Sequence, residues 1–256
     1  MTYLEYDTSF EGLLTAIFEV YDRRLTEAHI RKSGYASPPL FTEIVVVKTD
    51  EQKAERVWKR LHDLFGPKGM RTLWKAWLSE DETIEDLILG TVRYGLELKK
   101  NVLSDFGNIH VIHLQQFVKS VGREKHRMEA FVRFQLTKDD LYYAVIEPDF
   151  NVLPLIAPHF ESRYADQRWL IFDAKRKYGI YYNLDKTEFV DFTPNEMLHH
   201  NMPVADALGE RETLYQDLWN DYFTNVNIPS RKNIRLHTQH VPKRYWKYLT
   251  EKTPRL

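Results

Sequence analysis

The chain has 256 residues, 43% of them hydrophobic and 29% charged, with a formal net charge of −1. That composition excludes a disordered chain, and no apolar run approaches the roughly 20 residues needed to span a bilayer. There is no cysteine, which excludes disulfides, thiolate-held zinc, iron–sulfur clusters and thiol nucleophiles.

Elements can be read in chain order. Residues 3–6 predict a short strand, and the Thr8-Ser9-Phe10-Glu11 run fits a capping box in which Thr8 and Glu11 satisfy each other's amides. Phe10, Leu13, Leu14, Ile17, Phe18 and Tyr21 then recur at helical spacing. Residues 41–48 are β-branched and apolar and predict a strand buried on both faces. A helix from Thr49 carries Ala54, Val57, Trp58, Leu61, Leu64 and Phe65 inward and stops at Gly66-Pro67. Two amphipathic helices follow, the second preceded by the acidic run Glu80-Asp81-Glu82, which reads as capping at a helix N-terminus. A fourth helix is expected over residues 109–121, ending at Gly122.

After His126 the apolar period falls from 3.6 to 2. Met128, Ala130, Val132, Phe134 and Leu136 alternate with Glu129, Phe131, Arg133 and Gln135, which predicts a half-buried strand. Residues 141–146 predict its hairpin partner, 154–164 a short helix, and 169–173 with 179–183 a second hairpin turning through 174–177. A short strand at 189–192, a loop at 194–209, a helix around Leu214 to Val226 and a basic segment complete the pass. The fold class is α+β, with a largely helical N-terminal half packed with a small antiparallel sheet in the C-terminal half. The simplest organisation is one compact unit over 1–256, with a possible division into 1–80 and 81–256. The first residues lack the basic flank and apolar run of a signal peptide, so a cytosolic protein is expected.

The near-neutral total conceals two opposed blocks. Residues 185–221 hold nine acidic side chains against Lys186 and Arg211, a net −7. Residues 228–256 hold eight basic side chains against Glu251 alone, a net +7. In that second block the cations Arg231, Lys232, Arg235, Lys243, Arg244 and Lys247 interleave with Tyr245, Trp246 and Tyr248. Cations neutralise phosphates and flat rings stack bases, so the block is a candidate nucleic-acid surface. Two structural readings compete with it: the rings anchor the tail in a core, or the basic block pairs with the acidic one.

Motifs for dinucleotide, P-loop, zincin, serine-hydrolase and EF-hand chemistry are absent. His110 and His113 share a helical face but have no third ligand at an obvious spacing, so no metal and no cofactor is implied. A second candidate surface comprises His126, Arg127, Glu129, Phe131 and Arg133, with His159 and Arg163 one helical turn apart; a structural polar network in the first group, and anchoring of the helix to the sheet by the second, are the competing readings. His126, Glu129 and His159 are also the groups able to act as acid and base if the chain is an enzyme on a nucleobase or nucleotide.

One resemblance covers nearly the whole chain. The segments Tyr6-Asp7-Thr8-Ser9-Phe10-Glu11-Gly12, His126-Arg127-Met128, Phe131-Val132-Arg133-Phe134, Glu147-Pro148, Ala157-Pro158-His159-Phe160, Arg168-Trp169, Leu218-Trp219 and Pro242-Lys243-Arg244-Tyr245-Trp246 occur in order. They resemble the bacterial "probable DNA metabolism protein" family, whose domain of unknown function is also fused to uracil-DNA glycosylase-like proteins. The resemblance implies a DNA-binding accessory protein in repair or modification, acting on single- or double-stranded DNA beside a putative radical-SAM protein. The absence of cysteine fits a partner of such an enzyme and not the enzyme itself. A nucleobase enzyme, or a protein-interaction scaffold for the radical-SAM partner, are the alternatives, and the family brings no catalytic residues with it.

Overall fold

The computed structural model describes residues 1–34, 42–137, 140–191 and 241–249, and the chain divides into two compact units, Met1–Gly122 and Arg123–Leu256. The class is α+β, as expected.

The first unit opens with β1 (Thr2–Tyr6), α1 (Phe10–Asp22), β2 (Ala28–Lys32) and β3 (Glu43–Val46). The three strands form a parallel sheet in the order β2-β1-β3, so β1 is central. Burial alternates along β1 and β2: Leu4, Tyr6 and Ile30 are buried, while Tyr3, Glu5, His29 and Arg31 lie on the half-exposed face. The cap of α1 differs from the expected box. Ser9, not Thr8, is the N-cap and accepts from the Gly12 amide at 2.9 Å, while Thr8 takes a positive φ of 70°. The strand expected over 41–48 was wrong in its burial, because β3 lies at the sheet edge with Ile44 46% and Val46 73% exposed. The strand β2 escaped the periodicity reading altogether.

Three helices complete this unit: α2 (Glu51–Trp77), α3 (Ile84–Leu98) and α4 (Ile109–Phe131), the last of which ends in the second unit. The expected stop at Gly66-Pro67 is present as a break inside α2, where Gly66 adopts φ 70° and Pro67 starts the next turn. The acidic run does not cap α3 as expected: Asp81 accepts from the Thr83 amide at 3.0 Å, one residue before the helix, and the N-cap Thr83 makes no side-chain cap.

The region after Gly122 corrects the sequence reading most strongly. Helix α4 does not end there but runs to Phe131, and its buried positions Val121, Glu124 and Met128 keep helical spacing. Ala130, expected to face a core as part of a strand, is exposed. Only Gln135–Leu136 is extended, as β4.

The second unit then forms β5 (Tyr142–Ile146), α5 (Leu153–Arg163), β6 (Trp169–Asp173), β7 (Tyr178–Tyr182) and β8 (Thr187–Asp191). The sheet order is β4-β5-β6-β7-β8. It is mixed and not purely antiparallel, because α5 crosses over between the parallel neighbours β5 and β6. All five residues of the central strand β6 are buried. Phe134 packs edge-on against Phe160 and Tyr164, and Trp169 stacks on Tyr182. A short 3₁₀ helix, Lys243–Tyr248, is the last described element. The expected loop at 194–209 and helix at 214–226 lie outside the described residues. Among the described residues no helix is long and apolar enough to cross a membrane.

Candidate nucleic-acid interface

Parallel pairing of β5 and β6 brings their carboxyl ends to the same edge of the sheet, and the segments that follow meet there. Asp173, fully buried at the end of β6, accepts from the amides of Lys175 and Arg176 at 2.9 and 3.1 Å and from Arg176 Nη1 at 2.9 Å. Arg176 also donates to the carbonyls of Pro148 and Asp149, and Lys175 Nζ donates to the Asp149 carbonyl at 3.0 Å. Burial pushes the Asp173 carboxyl above its usual range, against the opposing pull of Arg176.

The last turns of α4 supply Glu124, which is 1% exposed. Its Oε1 accepts from the Asp149 amide at 2.9 Å and from the Tyr245 hydroxyl, and its Oε2 lies 3.5 Å from Arg127 Nη1 and from Arg244 Nη2. Arg244 also reaches Asp149 at 2.5 Å. The Tyr245 ring meets Phe131 at 5.8 Å. Burial, then the Glu124 hydrogen bond, pushes the Tyr245 hydroxyl far up from its ordinary value. Lys247 and Tyr248 both donate to Glu147 Oε2, which holds that carboxyl below its usual range and the Lys247 ammonium above its own.

The 3₁₀ helix is therefore anchored by Tyr245 and Leu249, both buried, while Lys243, Arg244 and Lys247 are exposed and Trp246 and Tyr248 half-buried. Lys243 Nζ lies 6.0 Å from the Trp246 ring centre. Of the residues proposed from sequence in this segment, Tyr245 is a core anchor, and Arg244 and Lys247 hold carboxylates of the chain itself. Arg231, Lys232 and Arg235 lie outside the described residues, as does nearly all of the acidic block. Among the described residues, Arg127, Lys175, Arg176, Lys243, Arg244 and Lys247 stand around the anchor against Glu124, Glu147, Asp149 and Asp173, six cations to four carboxylates.

The second proposed surface is partly assembled. His126 Nδ1 and His159 Nδ1 each lie 3.9 Å from a Glu129 oxygen, and Lys125 also pairs with Glu129. Arg127 turns to Glu124, Phe131 packs on Tyr245, and Arg133 donates to the carbonyls of Ala130 and Val132 at the end of α4. Arg163 is exposed, with its guanidinium 5.8 Å from the Tyr164 ring, while His159 turns to Glu129. The expected sharing of a strand face by Glu129, Phe131 and Arg133 is corrected by the helix that carries the first two. Among the described residues no group of three or more His, Asp or Glu side chains is placed so that it could hold a metal ion. Glu124, Asp149, Asp173 and Arg176 escaped the sequence reading; the helical spacing of Val121, Glu124 and Met128 was the signal available for the first.

No curated protein matches the chain. Residues 82–251 match the family model of DUF4130, and this span covers all of the elements that build the interface. The chain belongs to the DUF4130 family, a domain of unknown function.

Proposed function

We propose that the chain is a DNA-binding accessory protein in DNA repair or modification, working beside a radical-SAM protein. One observation carries the reading: the 3₁₀ helix Lys243–Tyr248 is docked through Tyr245 so that cations and rings alternate at the surface of an ordered element. Cations fixed in place lose less freedom on meeting phosphates than cations on a free tail, and half-buried rings beside them offer stacking to unpaired bases. The resemblance to the "probable DNA metabolism protein" family supports the same reading.

The test is fluorescence anisotropy with labelled single- and double-stranded DNA over a range of salt. If about six phosphates are neutralised, the affinity should fall with salt on a log–log slope near −5. Trp246→Ala should weaken single-stranded binding by about 1–3 kcal/mol. No binding at low salt, or binding that ignores salt, would sink the reading.

A second reading has its own observation, the approach of His126 and His159 to the Glu129 carboxylate. Both imidazoles stand at 3.9 Å, ion-pair distance and longer than a hydrogen bond, so a small closing movement or one bridging water would let the carboxylate exchange protons with either, as an enzyme acting on a nucleobase requires. Base release or deamination that survives Glu129→Gln would remove that assignment.

A further inference from the structure

The first unit holds an open concavity of about 550 Å³, within the size range of small-molecule sites, that belongs to neither reading above. Its wall is built by β2, one face of α3 and the start of α4. His29 on β2 stacks on Tyr3, its register partner on β1, with ring centres 5.0 Å apart and planes 20° from parallel. Its Nδ1 lies 2.6 Å from Asp86 Oδ2 on α3, and the other Asp86 oxygen accepts the Ile30 amide at 3.0 Å. A carboxylate only accepts, so Nδ1 is the nitrogen that carries the proton in the neutral tautomer, and in that tautomer Nε2 is an acceptor. Among the described residues Nε2 has no partner, and the side chain is 37% exposed.

Two turns along α3, Arg93 donates Nη2 to the Leu25 carbonyl at 2.9 Å, and among the described residues its Nε and Nη1 bond to nothing. Between Asp86 and Arg93 stands Gly90. A Cβ there would lie 2.5 Å from the His110 ring, so the glycine is what admits a second imidazole against the same wall. Glu27 and Glu97 also line the concavity. Their charges disfavour a polyanion such as DNA but leave room for one anionic group at Arg93.

We propose that this concavity binds a small hydroxylated acid. The guanidinium of Arg93 takes its phosphate or carboxylate, and Nε2 of His29 accepts a hydrogen bond from its hydroxyl. Asp86 is a positioning residue that fixes the tautomer and plane of the His29 ring. The contact with Ile30 gives it a structural duty as well, since that amide lies on the open edge of β2.

The experiment is nitrogen NMR of histidine-labelled full-length protein, titrated with D-ribose 5-phosphate and, separately, with D-gluconate. The expected free state has Nδ1 of His29 protonated and Nε2 bare. A saturable shift of the His29 Nε2 resonance with either probe supports the proposal, and the probe that binds tells phosphate from carboxylate. Arg93→Gln should weaken that binding by about tenfold or more with the free tautomer unchanged. Asp86→Asn, which keeps an acceptor for Ile30, should scramble the tautomer. Should that variant fail to fold, His29→Gln carries the test, with loss of binding expected in a protein whose circular dichroism is native. No shift with either probe at millimolar concentration, or undiminished affinity in Arg93→Gln or His29→Gln, would overturn it.

Discussion

Asp173 sits where burial and charge oppose one another. With its side chain fully buried, the ionised form loses hydration, while Arg176 and two turn amides compensate part of that loss. The net effect raises the carboxyl above its usual 3.8. The native state therefore holds this proton more readily than the unfolded chain. The stability it contributes is fully present below 3.8 and is lost as pH rises through the raised value. Replacing the residue is a separate matter, because the side chain organises the turn from β6 to β7. Asp173→Ala strips three hydrogen bonds and should cost about 3 kcal/mol in urea unfolding at neutral pH. Asp173→Asn retains an acceptor, should cost less, and should flatten the pH dependence above 3.8. Parallel pH–stability curves for Asn and wild type would show that the proton is taken up elsewhere.

At the scale of elements, the glycines of α3 and α4 make opposite predictions. Gly122 lies inside α4, where glycine costs backbone entropy, and the atom a new Cβ would meet is the flexible Lys75 Nζ at 2.5 Å. Gly122→Ala should stabilise by about 0.5–1 kcal/mol. Gly90→Ala meets the planar ring of His110 and should destabilise instead. Thermal unfolding of the two variants reads both signs; a stabilised Gly90→Ala would show that His110 swings aside freely. Gly122 is also where the sequence reading failed, and the failure has a physical cause. Residues 128–136 alternate apolar and polar at period 2, yet Glu124 and Met128 bury on the side that continues Val121, and tertiary packing keeps the helix going. Helix α1 and the β6–β7 hairpin were legible because their cues are local: an apolar stripe at helical spacing, and two strands about a short turn. The parallel pairing of β5 and β6 was not, because a helix separates them and no local pattern reports register across it. The site inherits that limit. Tyr245, Trp246 and Tyr248 look alike in sequence, and only the partner Glu124, 121 residues away, singles out Tyr245 as the anchor.

At the scale of the molecule, the two candidate sites fall in different units and use different electrostatics. Among the described residues around the 3₁₀ helix the cations exceed the carboxylates, and Lys243, Arg244 and Lys247 are exposed, the last two paired with carboxylates of the chain itself. In the concavity of the first unit, Arg93 works among carboxylates that turn a polyanion away. Substitutions without shared partners act additively within about 0.5 kcal/mol, so each site should be silent to changes at the other. Arg93→Gln should leave the DNA affinity and its salt slope unchanged. Lys243→Gln with Lys247→Gln should flatten that slope by about 2 and leave the His29 shift with ribose 5-phosphate or gluconate intact. Both titrations belong on the same four proteins, wild type, each variant set and their combination. Helix α4 is the element that gives the expectation its edge, since it contributes His110 near its first turn and Glu124 near its last. A coupling energy above about 1 kcal/mol between the variant sets would contradict independence and identify α4 as the place to look for its origin.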